Sequence, residues 1–200
     1  MIRLYGISSS RALRSLWAIE ETGQPYEHVP THFVGDAKKP EYLAVNPNGR
    51  VPALVDGDLT LFESMAINLY LAKKYSKELQ PKTVEDEARA VQWSFWGMTE
   101  IEPPLMQMVI HKVMLPEAQR NPANVKAAEE AIERPLRVLD AALAGRSHLL
   151  GGSFTIADLN VASVLGLARL VGYDVSRFAN VARWLDACLA RPAFARARSK

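Results

Sequence analysis

Asn46-Pro47-Asn48-Gly49-Arg50-Val51-Pro52-Ala53-Leu54-Val55-Asp56-Gly57-Asp58-Leu59-Thr60-Leu61-Phe62-Glu63-Ser64-Met65-Ala66-Ile67 is the stretch on which the fold turns. Two extended pieces, Ala53–Val55 and Leu59–Phe62, flank Asp56-Gly57-Asp58, and an Asp-Gly pair between apolar runs is the strongest short-range hairpin signal. Pro52 opens the first of these pieces, where its missing N–H costs a sheet ladder nothing. After Glu63-Ser64 the apolar positions Ile67, Tyr70 and Leu71 take up a helical period that runs to about Tyr75.

Upstream, Ile2 to Tyr5 alternate apolar and polar before Gly6, which reads as a short strand and turn. From Arg11 the apolar residues Ala12, Leu13, Leu16, Trp17 and Ile19 recur at three- and four-residue steps. They end at Gly23-Gln24-Pro25, a helix stop followed by a breaker. Tyr26 to Thr31 is a second strand, and Lys39-Pro40-Glu41-Tyr42-Leu43 is a brief helix opened by proline. The order over residues 1–76 is therefore β-α-β-α-β-β-α. Residues 76–86 are polar, contain Pro81 and read as a linker. Beyond them the pattern is helical throughout: about 84–115, 124–144, 155–171 and 180–190. The chain thus divides into an α/β domain, 1–76, and an all-helical domain, 84–200. The third of these helices carries a start signature, with Thr155 as cap, Asp158 three residues on, and Phe154 before the cap able to pack on Leu159. Its apolar residues surround it, so it should form the centre of the second domain, with Asp158 structural rather than catalytic.

Composition narrows the function. The chain has 200 residues, 48% hydrophobic and 23% charged, a formal net charge of +2 and one cysteine, Cys188. One cysteine cannot form an internal disulfide, a dithiol redox pair or a cysteine zinc site, and a reducing compartment fits best. Cys188 itself falls in the last predicted helix as a small core or interface residue. The basic residues are scattered among the acids, which argues against nucleic acid as a partner. No stretch approaches the roughly 18 uncharged apolar residues of a membrane span, so a cytoplasmic protein is expected. His28, His32, His111 and His148 lack metal-ligand spacing, and no metal is expected.

Three segments can carry chemistry, each with a plainer alternative. If the Val51-Pro52 bond is cis, the Val51 N–H and C=O can pair in antiparallel fashion with an extended peptide; if trans, Pro52 merely opens a strand. Glu63-Ser64 at a helix start are ordinary capping choices. The sharper reading is an anion site, in which free helix N–H groups and the Ser64 hydroxyl take a carboxylate while Glu63 holds an ammonium beside it. Ser8-Ser9-Ser10-Arg11 lies between the first strand and first helix. Serines there are expected as N-caps, and without a histidine partner none is a hydrolase nucleophile. A hydroxyl at a helix N-terminus can, however, donate to a thiolate that the positive helix end also favours.

These segments, in this order, resemble the glutathione transferases. The resemblance covers essentially the whole chain, and its most specific stretch is the one quoted at the outset. It implies an α/β thioredoxin-like N-terminal domain followed by an all-α C-terminal domain. It also implies glutathione as co-substrate, hydrophobic electrophiles as second substrates, a detoxifying transferase and a homodimer. By resemblance Pro52 is cis, Val51 pairs with the cysteinyl backbone of glutathione, and Glu63 and Ser64 hold its γ-glutamyl head. In the serine-type classes, similar to theta and phi, the thiol-activating serine follows the strand-end aromatic by five residues. That places it at Ser10, with Ser9 next in order and Tyr5 a packing residue. The cysteine-type classes have Cys at the Ser10 position. The zeta-like isomerases have Cys where Arg11 stands, and this chain has neither. Lys38 and Arg50 match positions that bind the glycine carboxylate, although the histidine that precedes the lysine in the phi-like pattern is Ala37 here; both also read as solvated loop charges. The electrophile pocket, which the family places between its domains, would draw on Trp96, Thr99, Pro103 and Met106, spaced along one face of a helix that Pro103-Pro104 should kink. A non-catalytic scaffold on the same fold, or a peroxidase or isomerase using the same thiolate, is the alternative.

Overall fold

The computed structural model describes all 200 residues, which group into two compact units: residues 1–80 with 190–200, and residues 81–189.

The first unit is built on a four-stranded sheet of order β2-β1-β3-β4, comprising β1 (Ile2–Tyr5), β2 (Tyr26–Val29), β3 (Ala53–Asp56) and β4 (Leu59–Phe62). β1 runs parallel to β2 and antiparallel to β3, and β3 and β4 form the hairpin around Gly57, whose φ of 60° suits the turn. This is the thioredoxin-like arrangement expected from the sequence. Helix α1 (Ala12–Thr22) buries Leu16, Trp17 and Ile19 and stops at Gly23, which takes the left-handed conformation that a C-terminal glycine permits. A short α2 (Pro40–Leu43) precedes β3, and α3 (Ser64–Tyr75) follows β4 and packs against α1.

The hairpin is tied to α3 through Asp56. One carboxylate oxygen of Asp56 accepts from the Tyr70 hydroxyl at 2.6 Å, from Lys74 Nζ at 2.7 Å and from the Tyr75 hydroxyl. Burial alone would raise this carboxyl, but the hydrogen bonds from Lys74 and the two tyrosines outweigh it and bring it to about 2.

The second unit is helical. The expected helix over 84–115 is instead α4 (Val84–Trp96), a wide π-helical turn over 97–101, α5 (Glu102–Val109) and a second wide turn over 110–114. Pro103 and Pro104 have no N–H to give the preceding turn, so the ladder opens by one residue there rather than continuing as a regular helix. The expected helix over 124–144 is likewise two, α6 (Pro122–Ala131) and α7 (Glu133–Ala142). The span 155–171 resolves into α8 (Ile156–Leu165) and α9 (Leu167–Leu170), and α10 is Ala179–Leu189.

Every residue of α8 except Ser163 is buried, as its all-round apolar pattern requires. Asp158 at its start is fully buried and accepts four hydrogen bonds. These come from the Thr155 N–H at 3.0 Å and hydroxyl at 3.1 Å, the Leu149 N–H at 2.8 Å and the Trp184 indole at 2.9 Å. It is thus a structural node joining α8 to α10. Cys188 is buried in α10.

One boundary departs from the sequence reading, which assigned 84–200 to the helical domain: residues 190–200 pack with the first unit. A further helix, α11 (Pro192–Arg198), lies against α1. Only Ala193 and Ala197 are buried on it, too small an apolar stripe to stand out in the sequence. Its hold on α1 comes instead from Phe194 on Trp17, with ring centroids 4.8 Å apart, and from two arginine–glutamate pairs.

Candidate functional site

Strand register brings three of the expected segments to one end of the sheet. Tyr5 pairs with Ala53, and Ala53 pairs with Phe62. The loop that leaves β1, the Val51-Pro52 pair that enters β3 and the Glu63-Ser64 pair that leaves β4 therefore sit side by side, although 63 lies far from 6 along the chain. Gly6 lies where they meet. It has φ 132°, and a Cβ on it would lie 2.3 Å from Ala12 Cβ and 3.3 Å from Val51 Cβ, so only glycine lets α1 and the Val51 loop come this close. Tyr5 packs edge-on against Tyr42, centroids 5.8 Å apart, beside Val51 and Ala53, which is the packing role expected of it.

The three serines have different environments. Ser8 Oγ donates to the Lys200 backbone oxygen at 2.6 Å. Ser9 is exposed. Ser10 Oγ donates to the Ile7 carbonyl at 2.7 Å and accepts the Ala12 N–H at 3.1 Å, so it caps the first turn of α1. The residue at the formal cap position, Arg11, makes no capping bond with its side chain. A hydroxyl that already accepts from a helix N–H is polarised towards donating, and it lies at the positive end of α1.

The peptide bond between Val51 and Pro52 is cis. None of the turn and loop backbone hydrogen bonds uses the Val51 N–H or C=O. The loop before it is held rigidly from below. The Arg50 carbonyl accepts from the Tyr42 hydroxyl at 2.6 Å and Asn46 Nδ2 at 2.7 Å, while Asn46 Oδ1 takes the Asn48 N–H at 3.1 Å. Burial pushes the Tyr42 phenol up to about 12, keeping it a neutral donor. Lys38 Nζ donates to the Gly49 carbonyl at 2.7 Å, which leaves its charge at the loop surface next to Arg50, itself exposed. Gly49, at φ 58°, leaves no room for a Cβ, which would sit 2.9 Å from the Ala37 carbonyl.

At the start of α3 the structure adds a feature that the sequence does not signal. Glu63 has φ 72° and ψ 114°, the only non-glycine residue with positive φ in the chain. Such a backbone costs of order 1–3 kcal/mol and persists where the surroundings require it. It leaves the Glu63 side chain exposed and making no capping bond, while the following Ser64 is buried. The first N–H groups of α3 are thus free of side-chain caps.

The residues assigned by resemblance to an electrophile wall lie in the second unit. Trp96 ends α4, Thr99 is inside the wide turn, and Pro103 and Met106 are on α5. The wide turn sets the backbone back by about one residue, so these four do not share the single α-helical stripe that their spacing predicts. Trp96 and Met106 are half-buried, Thr99 and Pro103 exposed, and Trp96 packs edge-on with Trp93 at 5.0 Å.

Residues 1–73 match the family of the glutathione S-transferase N-terminal domain, and residues 122–187 that of the C-terminal domain. The chain belongs to the glutathione S-transferase family. It is 34% identical to glutathione S-transferase F9 of Arabidopsis thaliana over 206 aligned residues, covering 97% of this chain and 94% of the relative. It is 35% identical to glutathione S-transferase 4 of Zea mays, covering 96% and 89%. Among solved structures it is similar to the theta class glutathione S-transferase from Xanthomonas axonopodis pv. citri with glutathione bound. That similarity has a TM-score of 0.92 and 31% identity, over 100% of this chain and 97% of that one.

Proposed function

We propose that this glutathione S-transferase activates the thiol of glutathione through Ser10. The enzyme is a transferase with glutathione as its co-substrate. The observation that carries the residue assignment is the convergence, at one end of the sheet, of a hydroxyl at a helix N-terminus, an unpaired Val51 backbone and an uncapped α3 start flanked by Glu63. An extended tripeptide with a carboxylate and an ammonium at one end, a thiol in the middle and a carboxylate at the other fits that set.

In this reading Glu63 takes the γ-glutamyl ammonium, and Ser64 with the first N–H groups of α3 takes its carboxylate. Val51 pairs with the cysteinyl amide, Pro52 shaping the approach, and Lys38 and Arg50 meet the glycine carboxylate. The thiol then lies over the loop that carries Ser10. Its proton leaves to solvent, and the hydroxyl and the α1 end hold the thiolate. The thiolate attacks the carbon of an aryl halide, forming the C–S bond, and halide departs as the C–halogen bond breaks. Lowering a thiol pKa from about 8.5 to ~6.5 would raise the thiolate fraction at pH 7 from roughly 3% to roughly 75%, worth about 2.7 kcal/mol.

Small hydrophobic electrophiles are the expected second substrates, drawing on Trp96, Thr99, Pro103 and Met106. A detoxifying role in the cytoplasm and a homodimer complete the reading. No helix is long and apolar enough to cross a membrane. Calorimetry with glutathione followed by turnover against halides, epoxides, enals and organic peroxides tests it. Binding with turnover supports the enzyme, binding without any turnover supports a scaffold, and no binding refutes both.

A further inference from the structure

We propose that α11 is a positioning brace for the thiol site: Arg191, Phe194 and Arg196 fix α1 from behind while the Lys200 backbone holds Ser8, so that the 6–11 loop presents Ser10 in one arrangement. The proposal rests on the assignment of Ser10 to the thiol.

The contacts hold α1 from its middle to its C-terminal end, at Trp17, Glu20 and Glu21. At its C-terminal end Arg191 grips Glu21 with two bonds, Nε to Oε1 at 2.6 Å and a terminal nitrogen to Oε2 at 2.8 Å, while the Trp17 indole also donates to Oε1 at 2.9 Å. Arg196 Nε donates to Glu20 Oε2 at 2.8 Å, and a terminal nitrogen of the same guanidinium reaches the Glu20 carbonyl at 3.0 Å. Glu20 Oε1 takes the Tyr26 hydroxyl at 2.8 Å, with Lys200 Nζ 3.6 Å away. Both glutamates are largely buried, so the bidentate Arg191–Glu21 pair and the single Arg196–Glu20 carboxylate contact are screened less than ordinary surface pairs. Midway, Phe194 lies on Trp17, which is itself fully buried.

At the other end the brace reaches the loop itself. Ser10 is anchored within the loop and to α1 through Ile7 and Ala12. Ser8 and Ser9 contribute to none of the turn and loop backbone hydrogen bonds, and Ser8 is held by its hydroxyl on the Lys200 backbone oxygen. The segment that fixes the far end of α1 therefore also fixes the residue two before Ser10. Placing a group within a fraction of an ångström governs its catalytic value, and a misplacement of about 1 Å can cost as much as 10²-fold. Two substitutions at exposed or half-buried contacts, Ser8→Ala and Arg196→Gln, should loosen the loop without emptying the core.

The test is the steady-state kinetics of glutathione with an aryl halide from about pH 5.5 to 8.5 for the wild-type chain, the Ser8→Ala/Arg196→Gln double variant, Arg196→Lys and Ser10→Ala. The double variant is expected to lose about fivefold in kcat, to keep KM for glutathione within about twofold, and to move the midpoint of the kcat/KM profile up by about half a pH unit. Arg196→Lys, which keeps the charge on Glu20, should lie nearer the wild type. A lowered Tm with kcat and the midpoint unchanged, or a raised KM with kcat unchanged, overturns the proposal, because α11 then only stabilises the fold or the glutathione site. Ser10→Ala separates the two readings. If it leaves the midpoint in place, the Ser10 assignment has failed; if it moves the midpoint and the double variant does not, the brace alone has failed.

Discussion

Ser10→Ala removes one oxygen that does two things, and the structure lets the two losses be sized separately. As a cap, Ser10 Oγ satisfies the Ala12 N–H at 3.1 Å, and losing such a cap costs about 1 kcal/mol, or roughly 2–4 °C in Tm for a chain of this size. As a thiol donor, it must first turn its proton away from the Ile7 carbonyl, now 2.7 Å off, giving up a neutral hydrogen bond of about 1 kcal/mol. In exchange it makes a charge-assisted bond to the thiolate worth about 1.5–3 kcal/mol. The bond from Ala12 is undisturbed by that rotation, so the oxygen stays where it is. The net stabilisation of about 0.5–2 kcal/mol corresponds to roughly 2- to 30-fold in kcat/KM, with tenfold near the middle. The deficit should shrink above about pH 8.5, where the glutathione thiol ionises unaided. Aryl-halide conjugation followed by absorbance across pH 5.5–8.5, beside a thermal melt, reads both effects in one variant. Kinetics within twofold of wild type and an unshifted pH midpoint, with Tm lowered by the cap loss, would mean that Ser10 is a cap and nothing more. The same experiment on Ser9→Ala would then identify its exposed neighbour or exclude it.

Glu63→Gln and Ser64→Ala should weaken glutathione binding by calorimetry about tenfold each while leaving the pH midpoint of the reaction in place, because they act on the head group and not the thiol; unchanged affinity would remove them from the site. Asp158→Ala strips a buried acceptor from the Leu149 and Thr155 N–H groups and the Trp184 indole, and should cost about 3–5 kcal/mol in chemical denaturation. A loss under about 1 kcal/mol would contradict its place as a node. Asp56 contributes to acid stability, since its carboxyl is held at about 2 against an ordinary 3.8. A depressed carboxyl contributes fully above the unfolded value and loses its contribution as pH falls through the folded one, so the window is about pH 4 to 2. Lys74 is half exposed, which discounts the contribution to about 1 kcal/mol. Asp56→Asn should flatten that part of the stability-against-pH curve, and a curve parallel to wild type would refute the linkage.

What could be read in the sequence, and what could not, follows from how far each feature depends on distant residues. The hairpin, the α1 stripe and the Thr155–Asp158 box are set by neighbours within a few residues, and periodicity or turn chemistry is enough to find them. The wide turns over 97–101 and 110–114 escaped a reading in steps of three and four, since that reading assumes an unbroken α-helix; the Pro103-Pro104 pair signalled a disturbance but not its form. Glu63 gave no sign of its left-handed backbone, because glutamate is no turn former and the conformation is imposed by the junction of β4 with α3. The largest omission is α11, a seven-residue helix whose hold on α1 lies in arginines that look like solvated charges until Glu20 and Glu21, about 170 positions away, are placed opposite them. The proposed thiol site divides the same way. Gly6 and Ser10 are positioned locally by strand, turn and cap, whereas the side-by-side placement of residues 6–10, 51–52 and 63–64 exists only once Tyr5, Ala53 and Phe62 are in register. Ser8 shows why the distinction matters for the chemistry. Along the chain it is the serine that the spacing from Tyr5 favours least as a thiol donor, with nothing to suggest another role, and only its partner, the backbone of Lys200, makes it a tether for the loop that carries Ser10.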